Sequence, residues 1–290
     1  MEENRTKGLM FALATFVMWG VFPIFFKLIK DVDAVQILAH RVVWSFLLLL
    51  VFLCFTHRLK NVARLLSTPK IALTLLCTGL LISTNWGIYI YAVNSDQILA
   101  TSLGYFINPL FSVLLGALFL REQLSAAAKL SLLLAFAAIG VQIYALGRLP
   151  IISLVLPLSF AFYGLIRKKV KVPSFEGLFC ETALMLLPAL AFLIYCALKG
   201  SGAFGFNVNS ALLFASGLIT ILPLLTFAVS TQYLPLSTIG FMQYISPSLS
   251  MLIAVFIYGE ELESYKILSF SLIWFGLAVV GLDGLRRKNG

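Results

Sequence analysis

Leu103 to Leu124 reads LGYFINPLFSVLLGALFLREQL, and Phe241 to Leu262 reads FMQYISPSLSMLIAVFIYGEEL. The two segments align at a constant separation of 138 residues: Pro109 with Pro247, Ser112 with Ser250, Glu122 with Glu260 and Leu124 with Leu262. Each is a long apolar run with a proline in its interior and a glutamate just past its end. Such a pair, one segment in each half, marks an internal repeat. Interrupted apolar segments at corresponding positions of two halves are also the sequence pointer to a transporter's binding site.

Composition sets the solvent. The 290-residue chain is 61% hydrophobic and only 11% charged, with a mean hydropathy of +1.01. A soluble domain carries about 25% charged residues, so this chain is predicted to be a membrane protein with lipid as a partner. The net charge of +9 does not point to nucleic acid, because the basic residues sit in short loops between apolar runs and no soluble region is left to bind it. Cys54, Cys77, Cys180 and Cys196 all lie in apolar runs without a C-x-x-C pair, and read as small hydrophobes rather than disulfides or metal ligands. The first apolar run follows Arg5 and Lys7 but is interrupted by Pro23 and lacks an A-x-A-like cleavage site. We read it as a membrane helix rather than a signal peptide.

Ten apolar runs are predicted to span the bilayer: 8–29, 34–56, 70–92, 98–120, 125–146, 150–168, 177–198, 210–231, 236–258 and 264–284. With the N-terminus in the cytoplasm, fifteen Lys and Arg residues fall inside, including Arg58, Lys60, Arg64, Arg167, Lys168 and Lys169, and four fall outside. Both termini are then cytoplasmic. Five spans per half is odd, so the second half enters from the opposite face. The expected fold is an all-α membrane protein of ten helices in a 5+5 inverted repeat, residues 1–147 and 148–290. Glu122 should lie at the cytoplasmic face and Glu260 at the outer face. Trp19-Gly20 in span 1 matches Tyr163-Gly164 in span 6 at a separation of 144, and Asn85 falls on Pro223 at 138.

The chain has two histidines, His40 and His57, and no H-E-x-x-H, G-x-S-x-G, Walker or G-x-G-x-x-G motif. An enzyme is not expected, and neither a metal nor a cofactor is implied. Polar residues inside apolar spans mark candidate function instead. Pro109 and Pro247 free the carbonyls of Tyr105 and Gln243, and Asn108 and Ser246 directly precede them. Each proline is read as a hinge beside a cavity, or as a packing kink. Arg41 in span 2 and Glu181 in span 7 are 140 apart. They are expected to pair or to face one aqueous cavity, the alternative being snorkelling at the interface. Asn85 and Tyr89 share a helix face, with Trp86 beside them. That stripe suits an organic ligand held by stacking and hydrogen bonds, or else helix–helix contacts and an interfacial belt.

The motifs L-G-Y-F-I-N-P-L with its following glutamate, W-G-V-F-P, H-R-V-V-W-S and N-W-G-I-Y-I-Y-A-V-N resemble the drug/metabolite transporter superfamily, EamA type, and its RarD-type branch. The resemblance covers nearly the whole chain. It implies a central cavity formed by the first four helices of each half, with Trp19, Asn85, Tyr89, Tyr105, Asn108, Tyr163, Gln243 and Ser246 at cavity positions. The expected function is secondary transport of small amphipathic metabolites or drugs by alternating access. Export in an inner membrane, with proton coupling through Glu181 or His40, is the leading version. Uptake of an amino acid or nucleotide-like compound is the rival. Oligomeric state is left open.

Overall fold

Local signals start and stop the helices. Asp33 accepts hydrogen bonds from the backbone N–H groups of Val35 (2.9 Å) and Gln36 (3.1 Å) at the start of one helix. Ser125 accepts from Ala128 (3.1 Å) and Asn207 from Ser210 (2.9 Å) at two others, the usual satisfaction of first-turn donors. Gly147, at φ 63°, closes another by a left-handed cap whose N–H reaches the Ile143 carbonyl.

A computed structural model describes residues 2–120, 124–170, 172–234 and 242–289, whose regular secondary structure is all helical, without strands. The side chains of 2–5, 109, 112–113, 116, 120, 168, 228, 231–232 and 284–289 are outside the described set. The helices are α1 (Glu2–Gly20), α2 (Phe22–Lys27), α3 (Ala34–Phe55), α4 (Leu59–Leu66), α5 (Pro69–Asn94), α6 (Ile98–Leu120), α7 (Ala126–Leu146), α8 (Ile151–Val170), α9 (Ser174–Leu198), α10 (Val208–Tyr233), α11 (Ile245–Phe256) and α12 (Ser264–Asn289). Among the described residues, seven helical stretches are long and apolar enough to cross a membrane, and Ile98–Asn108, Ile151–Arg167 and Ile245–Phe256 are shorter apolar ones.

Two elements differ from the sequence expectation. The 57–69 stretch holds α4, whose Val62 is buried while Lys60 and Arg64 are exposed, the pattern of an amphipathic helix lying against the bundle. The first span is broken between α1 and α2. Pro23 has no N–H for the Trp19 carbonyl, and the Ile24 N–H turns to the Val21 carbonyl at 3.0 Å. The Gly20 carbonyl, left without Ile24, accepts a hydrogen bond from Ser250 Oγ on α11 at 3.0 Å. Glu122 and most of 236–244 in the ninth expected span lie outside the described residues or outside regular helix. The described part of that span puts Pro247 in the first turn of α11, where a helix N–H needs no intrahelical partner.

The packing partners are α3 with α9 and α10, α5 with α8 and α9, α1 with α10 and α11, α6 with α8 and α11, and α7 with α12. Register comes from specific contacts. Phe46 stacks on Phe179 and Phe52 packs on Phe175, with ring centroids 5.0 and 5.2 Å apart, so α3 and α9 run antiparallel. Ser131 Oγ donates to the Gly276 carbonyl at 2.5 Å, and Ser269 Oγ donates to the Ala138 carbonyl at 3.1 Å. The helices α7 and α12 are therefore antiparallel too. The four residues form two pairs, Ser131 with Ser269 and Ala138 with Gly276, each 138 apart in sequence.

The two ends of the bundle are tied differently. At one end Lys27 forms an ion pair with Asp96 and lies over the Tyr258 ring at 5.4 Å. There Glu260 accepts hydrogen bonds from the N–H groups of Ile98 (2.6 Å) and Leu99 (2.9 Å), capping α6 from a neighbouring element. At the other end Arg58 stands 3.8 Å from Glu176 and Lys7 lies over the Tyr233 ring at 5.6 Å.

Candidate functional site

Two clusters of buried polar side chains stand out, one around Arg41 and one around Glu181. The first centres on Arg41, the eighth residue of α3 and 4% exposed. Its Nε donates to Thr220 Oγ1 on α10 at 2.7 Å. The guanidinium sits 4.2 Å over the Trp86 ring and 5.6 and 6.0 Å from the rings of Phe26 and Phe22. Aromatic faces stabilise a desolvated guanidinium, and stacking leaves its N–H edge available to a planar anion.

The second cluster centres on Glu181, the eighth residue of α9 and 1% exposed. Thr78 donates to its Oε1 at 2.7 Å and Tyr163 to its Oε2 at 3.2 Å. Arg167 Nε stands 3.8 Å from Oε1. A carboxylate with two hydroxyl donors and a cation is a satisfied buried charge. The sequence places Arg167 with the cytoplasmic cations, but its side chain is only 13% exposed and turns inward to Glu181.

Asn85 lies on α5 beside Trp86. It is 1% exposed, donates to the Leu156 carbonyl (2.8 Å) and to Ser159 Oγ (3.0 Å), and accepts from Tyr105 at 3.3 Å. The Tyr89 ring packs 5.8 Å from Tyr105 and 5.9 Å from Phe26. The structure thus brings Asn85, Trp86, Tyr89, Tyr105 and Arg41 together. Tyr163 belongs with Glu181. Trp19 packs against Phe16 and Phe227 in a separate aromatic group, at 5.7 and 6.0 Å. His40 stacks on Phe204 at 5.2 Å. Asn108 is buried with its Oδ1 unpartnered among the described residues. Gln243 and Ser246 are half-buried around the start of α11, where the Tyr244 ring between them stacks on Phe106 at 6.2 Å. The Pro109 side chain lies outside the described residues.

Arg41 and Glu181 do not pair. Each is eighth from the start of its helix, and the helices are antiparallel, so equal counts lead toward opposite ends. In the register set by Phe46 and Phe179, Glu181 lies level with Trp44 and Ser45, about one turn or roughly 5 Å along the axis from Arg41. Between them runs a narrow seam lined by Val42, Gly79, Ile82, Ser83, Trp86, Leu178, Glu181, Thr182 and Met185, with no room for a water molecule.

Thr220, Thr78 and Arg167 were missed by sequence reasoning, as was the close helix approach that positions them. A Cβ at Gly79 would meet the Glu181 carbonyl oxygen at 3.4 Å, and one at Gly217 would meet Trp44 Cβ at 2.7 Å. The signal was present: Thr78-Gly79-Leu80 and Ser216-Gly217-Leu218 are 138 apart. At the 144-residue separation of the first and sixth spans, Thr15, which shares a 2.7 Å hydroxyl contact with Thr226, matches Ser159, which bonds Asn85.

Known proteins match this chain along nearly its whole length. Protein RarD of Escherichia coli K12 is 41% identical over 292 residues, covering 100% of this chain and 99% of that protein. An uncharacterized transporter of Vibrio cholerae is 42% identical over 290 residues, covering 99% and 96%. A chloramphenicol-sensitive protein RarD of Pseudomonas aeruginosa is 28% identical over 285 residues, covering 97% and 95%. One solved crystal structure aligns with a TM-score of 0.59 at 16% identity over 96% of this chain and 98% of that one, a likeness of fold. The model of the EamA-like transporter family matches twice, over residues 6–144 and 149–282. Buried polar groups inside apolar helices and matches over both halves lead to one conclusion: the chain belongs to the EamA-like transporter family.

Proposed function

We propose that the protein is a secondary transporter of small amphipathic organic molecules, built as ten spans in a 5+5 inverted repeat of residues 1–147 and 148–290. The observation that carries this reading is the reciprocal serine pair, Ser131 to the Gly276 carbonyl and Ser269 to the Ala138 carbonyl. A pseudo-two-fold axis between α7 and α12 exchanges one bond with the other at the 138-residue separation. Because those helices are antiparallel, the axis lies in the membrane plane, as alternating access by inverted halves requires. The helix partners agree: exchanging the halves turns the α1–α10 contact into α8–α5, and α3–α10 into α9–α5.

Transport then proceeds by rocking of the halves, with Pro109 and Pro247 as hinges and the Arg41–Asn85–Tyr105 region as ligand site. We assign export across an inner membrane on the resemblance to drug/metabolite transporters, and both termini to the cytoplasm on the placement of Lys and Arg. Glu181 carries the coupling proton, since Arg167, Thr78 and Tyr163 are partners it can exchange when it protonates.

The test is reconstitution. Proteoliposomes should accumulate radiolabelled chloramphenicol, phenylalanine or indole-3-acetamide faster than protein-free vesicles, and an imposed pH gradient should drive at least one of them uphill. Glu181→Gln should abolish the uphill component. Flux at the protein-free rate for the whole panel would sink the transport reading. In whole cells, Lys60→Cys and Lys169→Cys should resist an impermeant thiol reagent while Glu261→Cys reacts; the reverse pattern would invert the orientation.

A further inference from the structure

We propose that the ligand site takes a carboxylate on a flat, apolar body, with Arg41 as its counter-charge. The inference rests on the transporter reading and names the substrate class of that site.

Three ion pairs occur among the described residues: Lys27 with Asp96, Arg58 with Glu176, and Arg167 with Glu181. Arg41 is in none of them, although it is 4% exposed. Its neighbours are a hydroxyl, Thr220, and the rings of Trp86, Phe26 and Phe22. Glu181, buried to the same degree, has its own cation in Arg167. The interior is therefore asymmetric. Among the described residues, one buried charge is balanced by a cation, and the other is held only by aromatic faces and a neutral oxygen.

An unbalanced charge at that depth is unfavourable and marks a place where a counter-charge arrives from outside the protein. Guanidinium chemistry narrows the class. Thr220 engages Nε–H, and the two amino groups keep donors in the planar fork that matches a carboxylate. Stacking against Trp86 fixes the plane of that fork. Tyr89, Tyr105 and Trp86 supply flat apolar surface beside it, and Asn85 anchors the Tyr105 hydroxyl. An aromatic or similarly flat carboxylate fills both requirements, whereas a cation would face like charge.

The experiment compares indole-3-acetate, indole-3-acetamide, phenylacetate and phenyl phosphate by thermal shift on detergent-purified full-length protein, since a bound ligand raises Tm by mass action. Indole-3-acetate should stabilise saturably and bind at least about tenfold more tightly than its amide, the size of one charge-assisted hydrogen bond. Arg41→Gln should erase that preference. Arg41→Lys, which keeps the charge without the fork, should keep the preference at reduced affinity, and serves if the glutamine variant does not fold. Equal binding of acetate and amide, absent binding of acetate, or an unchanged preference in Arg41→Gln overturns the proposal. Tighter binding of phenyl phosphate than phenylacetate overturns the carboxylate assignment. Carboxylate binding without flux in proteoliposomes would leave the site standing and remove the transporter reading; amide flux without carboxylate preference would do the reverse.

Discussion

Replacing Gly217 by alanine should cost far more than the same change at Gly79, although the two glycines are repeat counterparts. A Cβ at Gly217 would stand 2.7 Å from Trp44 Cβ, 2.8 Å from the Trp44 carbonyl carbon and 3.0 Å from the Ser45 nitrogen. Carbon atoms prefer separations of about 3.5–4.0 Å, so α10 and α3 must part locally by roughly 1 Å. Two of the three obstructing atoms are backbone and cannot rotate away, which puts the cost toward the upper end of the ~1–3 kcal/mol typical of overpacking. The 2.7 Å bond from Arg41 to Thr220 crosses the same helix pair one turn away. Stretched by about 1 Å it leaves hydrogen-bond range, adding ~1 kcal/mol. At Gly79 the nearest atom is the Glu181 carbonyl oxygen at 3.4 Å, followed by Glu181 Cα and Cβ at 3.6 Å. Alanine fits there, and its helix propensity gains about 0.5–1 kcal/mol over glycine. Reversible unfolding in detergent followed by helical circular dichroism reads both. Gly217→Ala should lose about 2–4 kcal/mol while Gly79→Ala stays neutral or gains. Equal effects at the two positions, or a Gly217→Ala protein as stable as the parent, would refute the close α3–α10 approach.

Two further outcomes follow from the clusters and the cap. A double-mutant cycle between Arg167→Gln and Glu181→Gln should show coupling of about 1 kcal/mol or more, because removing either partner leaves a buried charge. The parallel cycle between Arg41→Gln and Glu181→Gln should be additive within ~0.5 kcal/mol. Coupling in the second cycle and none in the first would mean the two ion clusters are wrongly partnered. Glu260→Gln should lower stability by about 1 kcal/mol, since its two bonds to Ile98 and Leu99 lose their charge assistance at a helix N-terminus. Hydrogen exchange should be faster at those amides in the variant; unchanged protection there would show that Glu260 does not cap α6.

The family resemblance and the membrane class were legible without coordinates, because both depend on composition and on motifs contiguous in the chain. The glutamate after the second long segment was visible as a repeat feature, but its task as a cap on α6 was not, since Ile98 and Glu260 are far apart in sequence. The close glycines were visible too, as matching Thr-Gly-Leu and Ser-Gly-Leu triplets, though nothing local says which helix comes within reach of them. Arg167 was misread for the opposite reason. Its neighbours Lys168 and Lys169 make it look like loop charge, while helical periodicity turns it back toward α9.

Sequence by itself determined that the chain is apolar, helical and internally duplicated, and it singled out Arg41, Glu181, Asn85 and the tyrosines as costly residues to place in lipid. Tertiary structure decided their partners. Sequence separation carries the repeat, but register and helix direction convert it into depth. Two residues 140 apart on antiparallel helices end one turn from each other instead of side by side. That single geometric fact gives Glu181 to Arg167 and leaves Arg41 with aromatic rings and a threonine.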